Sequence, residues 1–409
     1  MNTDQSEDQP RRSFPSSLLE ALPKNDRQGN RALALLCLGM TVGLFLVGLW
    51  PLNFSPSNNV AWLPDRNGLR FPGGDTQARY SAGGIAFTPE PLRAPRRGAA
   101  EDGSLSIELW LKPSLEPSGG LYRIVGLTRD SRTESLIVAQ WQAHFIMQVL
   151  EREIAGRPRY REIGLRDFLK AGEPRFITIT SDRNGTVLYL DGKPVKRFES
   201  VSLVPSPGTI AGQRLQLGNS PDGASAWPGE IYGLAIYDKA LSAEQVLESY
   251  REWTAAAKQA RPVQEGIVGR YDFSARSGPW IQDASGSSNP LFIPTTLRFN
   301  RQALSGSRSA GRHVGDILVN VLGFVPYGFC LALWLGRARG WSHRRGLLIA
   351  VALGALVSLA IELIQVWLPV RDSSLRDLVC NTGGTLLGAL IACGRRFQSD
   401  NVAAISGKA

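Results

Sequence analysis

Uncharged apolar positions run unbroken from Ala32 to Leu52, give way to a long stretch of short alternating segments, and return as three further runs, Val314 to Leu335, Gly346 to Leu368 and Leu378 to Cys393. A helix of roughly 20 apolar residues crosses a bilayer core, so four spans are expected, the last at the short end of the range. Trp50 closes the first run in the manner of an interfacial anchor. The polar leader before Arg31 is long for a cleaved signal peptide and the apolar run exceeds an ordinary signal core, which favours an uncleaved anchor. Arg11 and Arg12 lie too far upstream of that run to read as a twin-arginine export signal, so a solvated tail is expected there.

Between the first and second runs the period changes to two. Leu105, Ile107, Leu109 and Leu111 alternate with polar or small partners, as do Phe176, Ile177 and Ile179 and the run Val187 to Leu190, which ends at an Asp191-Gly192 turn. Gly, Pro, Asn and Asp punctuate the segment, and little reads as helix before Ser242. A half-buried antiparallel sandwich is the expected fold of this part.

Polar residues interrupt the later apolar runs in a pattern. Asp316 and Asn320 open the second span, Glu362 and Gln365 close the third, Arg371 lies in the loop between, and Asp377 and Asn381 open the fourth. Each such group at membrane depth costs about 2.5–3.5 kcal/mol on insertion scales, so a set of seven implies a built polar site. Residues three or four apart share a helix face. That places Asp316, Asn320, Gly323 and Tyr327 on one face, Gly354, Ser358, Glu362 and Gln365 on a second, and Asp377, Asn381, Gly384 and Gly388 on a third, with small residues for close packing. The plain alternative is a structural hydrogen-bond and ion-pair network that only holds three helices together.

These residues carry a resemblance. The sequence DILVNVLGFVPYGF from Asp316, followed by ELIQVWLPVRDSSLRDLVCNTGGTLLG from Glu362, is similar to the VanZ-like membrane protein family. The resemblance implies a small multi-span bacterial membrane protein, and some members are linked to tolerance of the glycopeptide teicoplanin; it implies no reaction. The chain departs from the plain family form by the long segment between its first and second helices.

Three phrases of that segment, SLSIELWLKP from Ser104, PRFITITSDRNGTVLYLDGKPV from Pro174 and LQLGNSPDGASAWPGEIYGLAIYDKALSAEQVLESY from Leu215, resemble laminin-G-like or concanavalin A-like jelly-roll modules of bacterial surface proteins. Glycan hydrolases of that superfamily need two carboxylates facing one cleft. Glu230 and Asp238 are not arranged in an alternating acidic run, so hydrolysis is not expected. Related lectin-like sandwiches bind calcium through Asp and Asn oxygens on loops, so calcium in the sandwich is a second option; Asp191, Asp222, Asn184 and Asn219 sit in turns, but turn propensity accounts for each and no metal ligand is named. Gly266 to Phe299 resembles the opening of such a module but is too short for a second one, and reads as strands completing the first.

Charge orients the chain. With 46 Lys and Arg against 36 Asp and Glu the formal charge is +10. Arg27 and Arg31 precede the first span, Arg337, Arg339, Arg344 and Arg345 separate the second and third, and Arg395 and Arg396 follow the fourth, which predicts both termini cytoplasmic. Arg93, Arg96, Arg97, Arg157, Arg159 and Arg161 then fall outside, where anionic lipid or envelope polymer is available and nucleic acid is not. Cys37, Cys330, Cys380 and Cys393 all fall in membrane runs, so no disulfide scaffold is expected; His144, His313 and His343 are scattered, so no zinc site is expected either.

The expected organisation is a cytoplasmic tail at 1–30, a first membrane helix at 31–52, an extracytoplasmic sandwich at 53–299, a flexible linker at 300–312, a VanZ-like bundle at 313–396 with helices near 314–335, 346–368 and 377–394, and a cytoplasmic tail at 397–409. Fold class is a four-helix transmembrane bundle plus an all-β concanavalin A-like jelly roll, in a bacterial inner membrane. Two functions compete. In one, the sandwich binds an envelope glycan or protein beside the bilayer. In the other, Glu362 or Asp377 acts as general acid or base on a lipid-linked envelope precursor whose anionic head group Arg371 holds. No nucleophile is evident, which favours binding over catalysis; Glu362, deepest of the carboxylates, is the one expected to hold a proton.

Overall fold

The computed structural model describes residues 27–73, 83–95, 103–116, 120–130, 133–154, 157–206, 209–255, 264–299, 301–304, 313–338, 340–369 and 371–406. The chain divides into two compact units, one of residues 1–50, 312–363 and 374–409, the other of 51–311 and 364–373.

The first unit is helical. Among the described residues its helices are α1 (Arg27–Leu49), α3 (His313–Ala338), α4 (His343–Gln365) and α5 (Leu375–Ser406), with α2 (Ala243–Thr254) belonging to the other unit. All four are long and apolar enough to cross a membrane. Large apolar side chains point outward along them, Val47 at 72% exposure, Val319 at 71% and Leu348 at 69%, which in water would be an aggregation surface and in lipid is the ordinary contact. Most helix ends differ by a few residues from the apolar runs, but α5 continues to Ser406, through the stretch from 397 expected as a tail. The third span stops at Gln365 rather than Leu368, where Trp367 and Leu368 donate to the Ile364 and Gln365 carbonyls in tight turns. Pro369 follows and disfavours helix in the residue before it.

Glycines set how closely these helices approach. A Cβ on Gly384 would collide with the Val321 carbonyl, one on Gly388 with the Val325 carbonyl, and one on Gly328 with the Thr385 carbonyl, so α3 and α5 cross backbone to backbone. Gly323, expected on the packed face, is instead exposed with nothing within 4 Å of its Cβ position. Tyr327 is buried, and its Oη lies 3.1 Å from Thr41 Oγ1, which ties α3 to α1.

The second unit is a sandwich of two eight-stranded antiparallel sheets. One runs β1 (Ala61–Trp62), β2 (Leu69–Pro72), β13 (Pro228–Tyr237), β4 (Leu105–Pro113), β9 (Arg175–Asp182), β10 (Gly185–Leu190) and β11 (Lys193–Glu199), with β14 (Ile267–Tyr271) also paired to β13. The other runs β15 (Trp280–Ile281), β16 (Leu291–Phe292), β3 (Ala86–Phe87), β12 (Arg214–Leu217), β5 (Tyr122–Thr128), β6 (Glu134–Trp141), β7 (His144–Ile154) and β8 (Arg157–Leu165). The segment after Gly266 therefore adds strands to both sheets.

Alternation builds the core. Leu105, Ile107, Leu109 and Leu111 of β4 are at most 1% exposed and meet Leu136, Val138, Phe145 and Met147 of the facing sheet. At the β10–β11 hairpin Asp191 and Gly192 both have positive φ, 51° and 77°, the conformation a tight hairpin turn with right-handed twist demands. Helix α2 (Ala243–Thr254) starts at a capping box, in which the Ser242 hydroxyl accepts from the Gln245 N–H and the Gln245 side chain accepts from the Ser242 N–H. It lays Val246 and Trp253 on the outer face of the first sheet, against Phe176, Ala235 and Tyr237.

Candidate functional site

Three successive turns of α4 face α5. Gly354 receives the Thr385 side chain where a Cβ would otherwise stand. One turn on, Ser358 Oγ accepts from Asn381 Nδ2 at 2.9 Å. One turn further, Glu362 Oε2 accepts from the Ser374 backbone N–H at 2.6 Å. Ser358 is fully buried, Glu362 2% exposed and Asn381 5% exposed.

The Glu362 contact has a local cause. Ser374 precedes α5, and a helix start carries N–H groups without intrahelical partners and a positive dipole end. In a capping box a glutamate within the same helix reaches that first N–H; here a glutamate from the neighbouring helix does so. Asp377 adds a second carboxylate in the first turn of α5. Two buried polar atoms beside these groups, Ser374 Oγ and Asn381 Oδ1, have no hydrogen-bond partner among the described residues.

Of the seven residues singled out from sequence, Glu362 and Asn381 thus stand on adjacent rungs of one helix pair. Asp377 and Asn320 are half-buried in their helices, Gln365 is buried at the end of α4, and Arg371 is half-buried. The Asp316 side chain lies outside the described residues, as do the tail before Arg27, Arg96, Arg97 and Arg339.

In the second unit, sequence reasoning missed Arg301, which falls in the stretch expected as linker. Its side chain is 11% exposed. Nε donates to the Asp222 carbonyl at 3.0 Å, the Nη atoms donate to the carbonyls of Leu368, Pro369 and Arg371, and Nη1 sits 3.3 Å from Asp372 Oδ1. Burial pulls the Arg301 pKa down and the Asp372 charge opposes that. No local sequence signal marks this arginine, since its partners come from two distant loops.

The turn residues weighed as calcium ligands serve their own backbone. Asn219 Oδ1 accepts from the Ser220 and Ser225 N–H groups, Asp222 Oδ1 from Ser220 Oγ and the Ala224 N–H, Asp191 Oδ1 from the Phe176 N–H, and the Asn184 N–H donates to Asp182. Among the described residues no group of three or more His, Cys, Asp or Glu is placed to hold a metal.

The two acids considered for hydrolysis are far from equivalent. Glu230 is held by Lys112 at 2.9 Å, Arg70 at 3.0 Å and the Tyr232 hydroxyl at 2.7 Å. Burial raises its pKa, but hydrogen bonds from Lys112, Tyr232 and Arg70 outweigh burial and leave it below the ordinary value. Asp238 is fully buried and accepts from Thr209 Oγ1 at 2.6 Å.

Residues 273–397 match the VanZ/LLP1 family model, and residues 90–247 match that of the concanavalin A-like lectin/glucanases superfamily. The chain carries both domains. The VanZ match begins upstream of α3, within the segment whose strands β15 and β16 join the second sheet. Among solved structures, the binding domain of botulinum neurotoxin DC in complex with rat synaptotagmin II is similar at 14% identity and TM-score 0.35, over 48% of this chain and 45% of that one. A heptameric SAP-like pentraxin from Limulus polyphemus is similar at 14% identity and TM-score 0.36, over 57% and 97%. A Bacteroides ovatus protein described as carbohydrate-binding is similar at 15% and 0.35, over 52% and 59%. The chain thus spans less than half the length of the first of these. Comparison with curated proteins gives no match. Four apolar helices and a VanZ domain make this a membrane protein.

Proposed function

We propose that this is a bacterial cell-envelope protein of the inner membrane, with both termini cytoplasmic and residues 53–312 outside, whose lectin-like sandwich binds an envelope glycan or protein at the outer membrane–water interface. The observation that carries the reading is the order of parts. A concanavalin A-like domain lies between the first and second apolar helices, and in sequence Arg27, Arg31, Arg337 and Arg339 stand at the ends of those helices away from it. Attachment to apolar helices at both ends keeps such a domain within reach of ligands at the membrane surface, which supports the reading. The test is twofold. Single cysteines placed at Ser57 and at Ser342 are labelled from outside in intact cells, with labelling of the first alone expected. The full chain in detergent is then incubated with isolated envelope polymers, with retention expected. Labelling of Ser342→Cys alone inverts the topology and ends the proposal.

A second function is favoured by one specific observation. Ser374 Oγ and Asn381 Oδ1 are buried near Glu362 without partners among the described residues, and orphaned polar atoms are costly unless a ligand completes them. In this reading the α4–α5 rungs act on a lipid-linked envelope precursor, with Glu362 or Asp377 moving the proton. Turnover of such a precursor by the purified chain, lost in Glu362→Gln, is the result it requires.

A further inference from the structure

The outer face of the first sheet carries a cleft of about 580 Å³, within the usual size of a small-ligand site. It lies beside α2, and its walls include Trp110 of β4, Tyr232 of β13, Trp253 of α2 and Arg270 of β14, with Arg66 from the β1–β2 turn and Asp272 at its rim. The aromatic rings are held in place. Trp110 and Tyr232 meet edge to face with centroids 5.5 Å apart. Trp253 lies flat over Gly233, where a Cβ would approach its ring within 2.5 Å. Its Nε1 donates to Glu108 Oε2 at 3.0 Å. A strand glycine beneath the tryptophan and the anchored indole N–H hold Trp253, 7% exposed, as a fixed part of the cleft wall.

Two cations stand over these rings. The Arg66 guanidinium is 5.2 Å from the Tyr232 centroid, and the Arg270 guanidinium is 4.3 Å from the Trp253 centroid. Arg270 is the unusual one. It is 5% exposed, forms no salt bridge among the described residues, and its Nη2 has no hydrogen-bond partner. A buried arginine without an anion is costly. The carboxylates nearby, Asp65 and Asp272 of the cleft lining and Asp283, form no ion pair with Arg270 among the described residues. Asp283 accepts from the Arg270 and Ser285 N–H groups, the Ser285 hydroxyl and the Asn289 N–H, and Asp272 accepts from the Ser274 N–H. Glu108 lies below, but burial pushes its carboxyl up towards the neutral form, and the Arg270 charge is the weakest of the influences opposing that.

Flat aromatic platforms bind the apolar faces of sugar rings, and an unpaired guanidinium takes a carboxylate. We infer that this cleft is a binding site for an acidic glycan, a sugar ring against Trp110 and a sugar carboxylate on Arg270, with Trp253 as the wall behind that guanidinium and Arg66 closing the mouth. The inference rests on the glycan-binding reading of the sandwich and adds to it the site and the charge class of the ligand.

The test uses the full chain in detergent, titrated with an alginate hexamer as acidic probe, a neutral cello-hexamer, and a hexaglutamate peptide as a charge-only probe. The hexuronate is expected to bind at least about tenfold more tightly than either of the others, and about tenfold more weakly to Trp110→Ala and to Arg270→Lys. Arg66→Ala, an exposed substitution at the mouth, is expected to weaken binding and leave the melting temperature unchanged, which keeps the test valid should Arg270→Lys misfold. Hexuronate binding untouched by Trp110→Ala and Arg66→Ala removes the site. Equal binding of the neutral hexamer removes the charge class and leaves the glycan reading standing. Equal binding of hexaglutamate removes the sugar. Retention of the chain on no envelope glycan of any kind removes the inference together with the reading beneath it.

Discussion

Glu362 of α4 accepts the backbone N–H of Ser374, the residue before α5, at 2.6 Å. A carboxylate that caps a neighbouring helix is a fold contact whatever else it does. Glu362→Ala leaves that N–H without its acceptor, at a cost of about 1–3 kcal/mol. The melting temperature in detergent and the amount in the membrane are expected to fall. Glu362→Gln keeps an acceptor oxygen and is expected to melt close to the parent. A glutamine variant as unstable as the alanine one shows that the charge, not the acceptor, matters here.

The α3–α5 crossing makes a sharper demand. Gly388 has the Val325 carbonyl where a Cβ would go, and neither backbone can yield without separating the helices. Gly388→Leu is expected to cost at least about 3 kcal/mol, the upper end of overpacking, and to prevent accumulation of folded chain. Gly323→Leu, on the open side of α3, is expected to be tolerated. Comparable yields of the two variants in a fluorescence-detected gel filtration assay contradict the crossing.

These two glycines show what sequence period can and cannot resolve. The rungs Gly354, Ser358 and Glu362 were legible because polar and small residues stand out on an otherwise apolar helix. On α3 the background is uniformly apolar and glycine-containing, so periodicity alone selected Gly323 when Gly328 makes the contact. In the sandwich, Leu105 to Leu111 and the Asp191-Gly192 turn announced strand and hairpin because both signals are local. The aromatic cleft and Arg301 gave no such signal. Trp110, Tyr232, Trp253 and Arg270 come from four separate elements, and only the pairing of β13 with β4 and β14 brings them together.

Arg301 donates to carbonyls at Asp222 and across Leu368 to Arg371, so one side chain satisfies acceptors from two loops. Arg301→Ala strands those acceptors and is expected to cost on the order of 3 kcal/mol. The effect should be local. Amide exchange within 366–373 is expected to accelerate while α2 keeps its protection. Uniform acceleration through the sandwich would instead make the residue part of the global core.

Acid stability of the sandwich follows from Glu108. It is fully buried, and burial raises its pKa above the ordinary 4.5 against hydrogen bonds from Ser249, Trp253 and Tyr237. An acid whose folded pKa lies above its unfolded one costs stability at every pH above the folded value; the cost shrinks as pH falls through that value and is gone below the unfolded one. Glu230 has the opposite sign, its folded pKa lying below the ordinary value, so its contribution is lost only as pH falls through that lower pKa. Between neutrality and the unfolded glutamate range, acidification therefore relieves Glu108 before it releases Glu230. Glu108→Gln removes the first effect and keeps the second. The melting temperature of the parent relative to Glu108→Gln is expected to rise as pH is lowered from 7 towards 4.5, and a constant difference across that range would show that folding does not raise the Glu108 pKa.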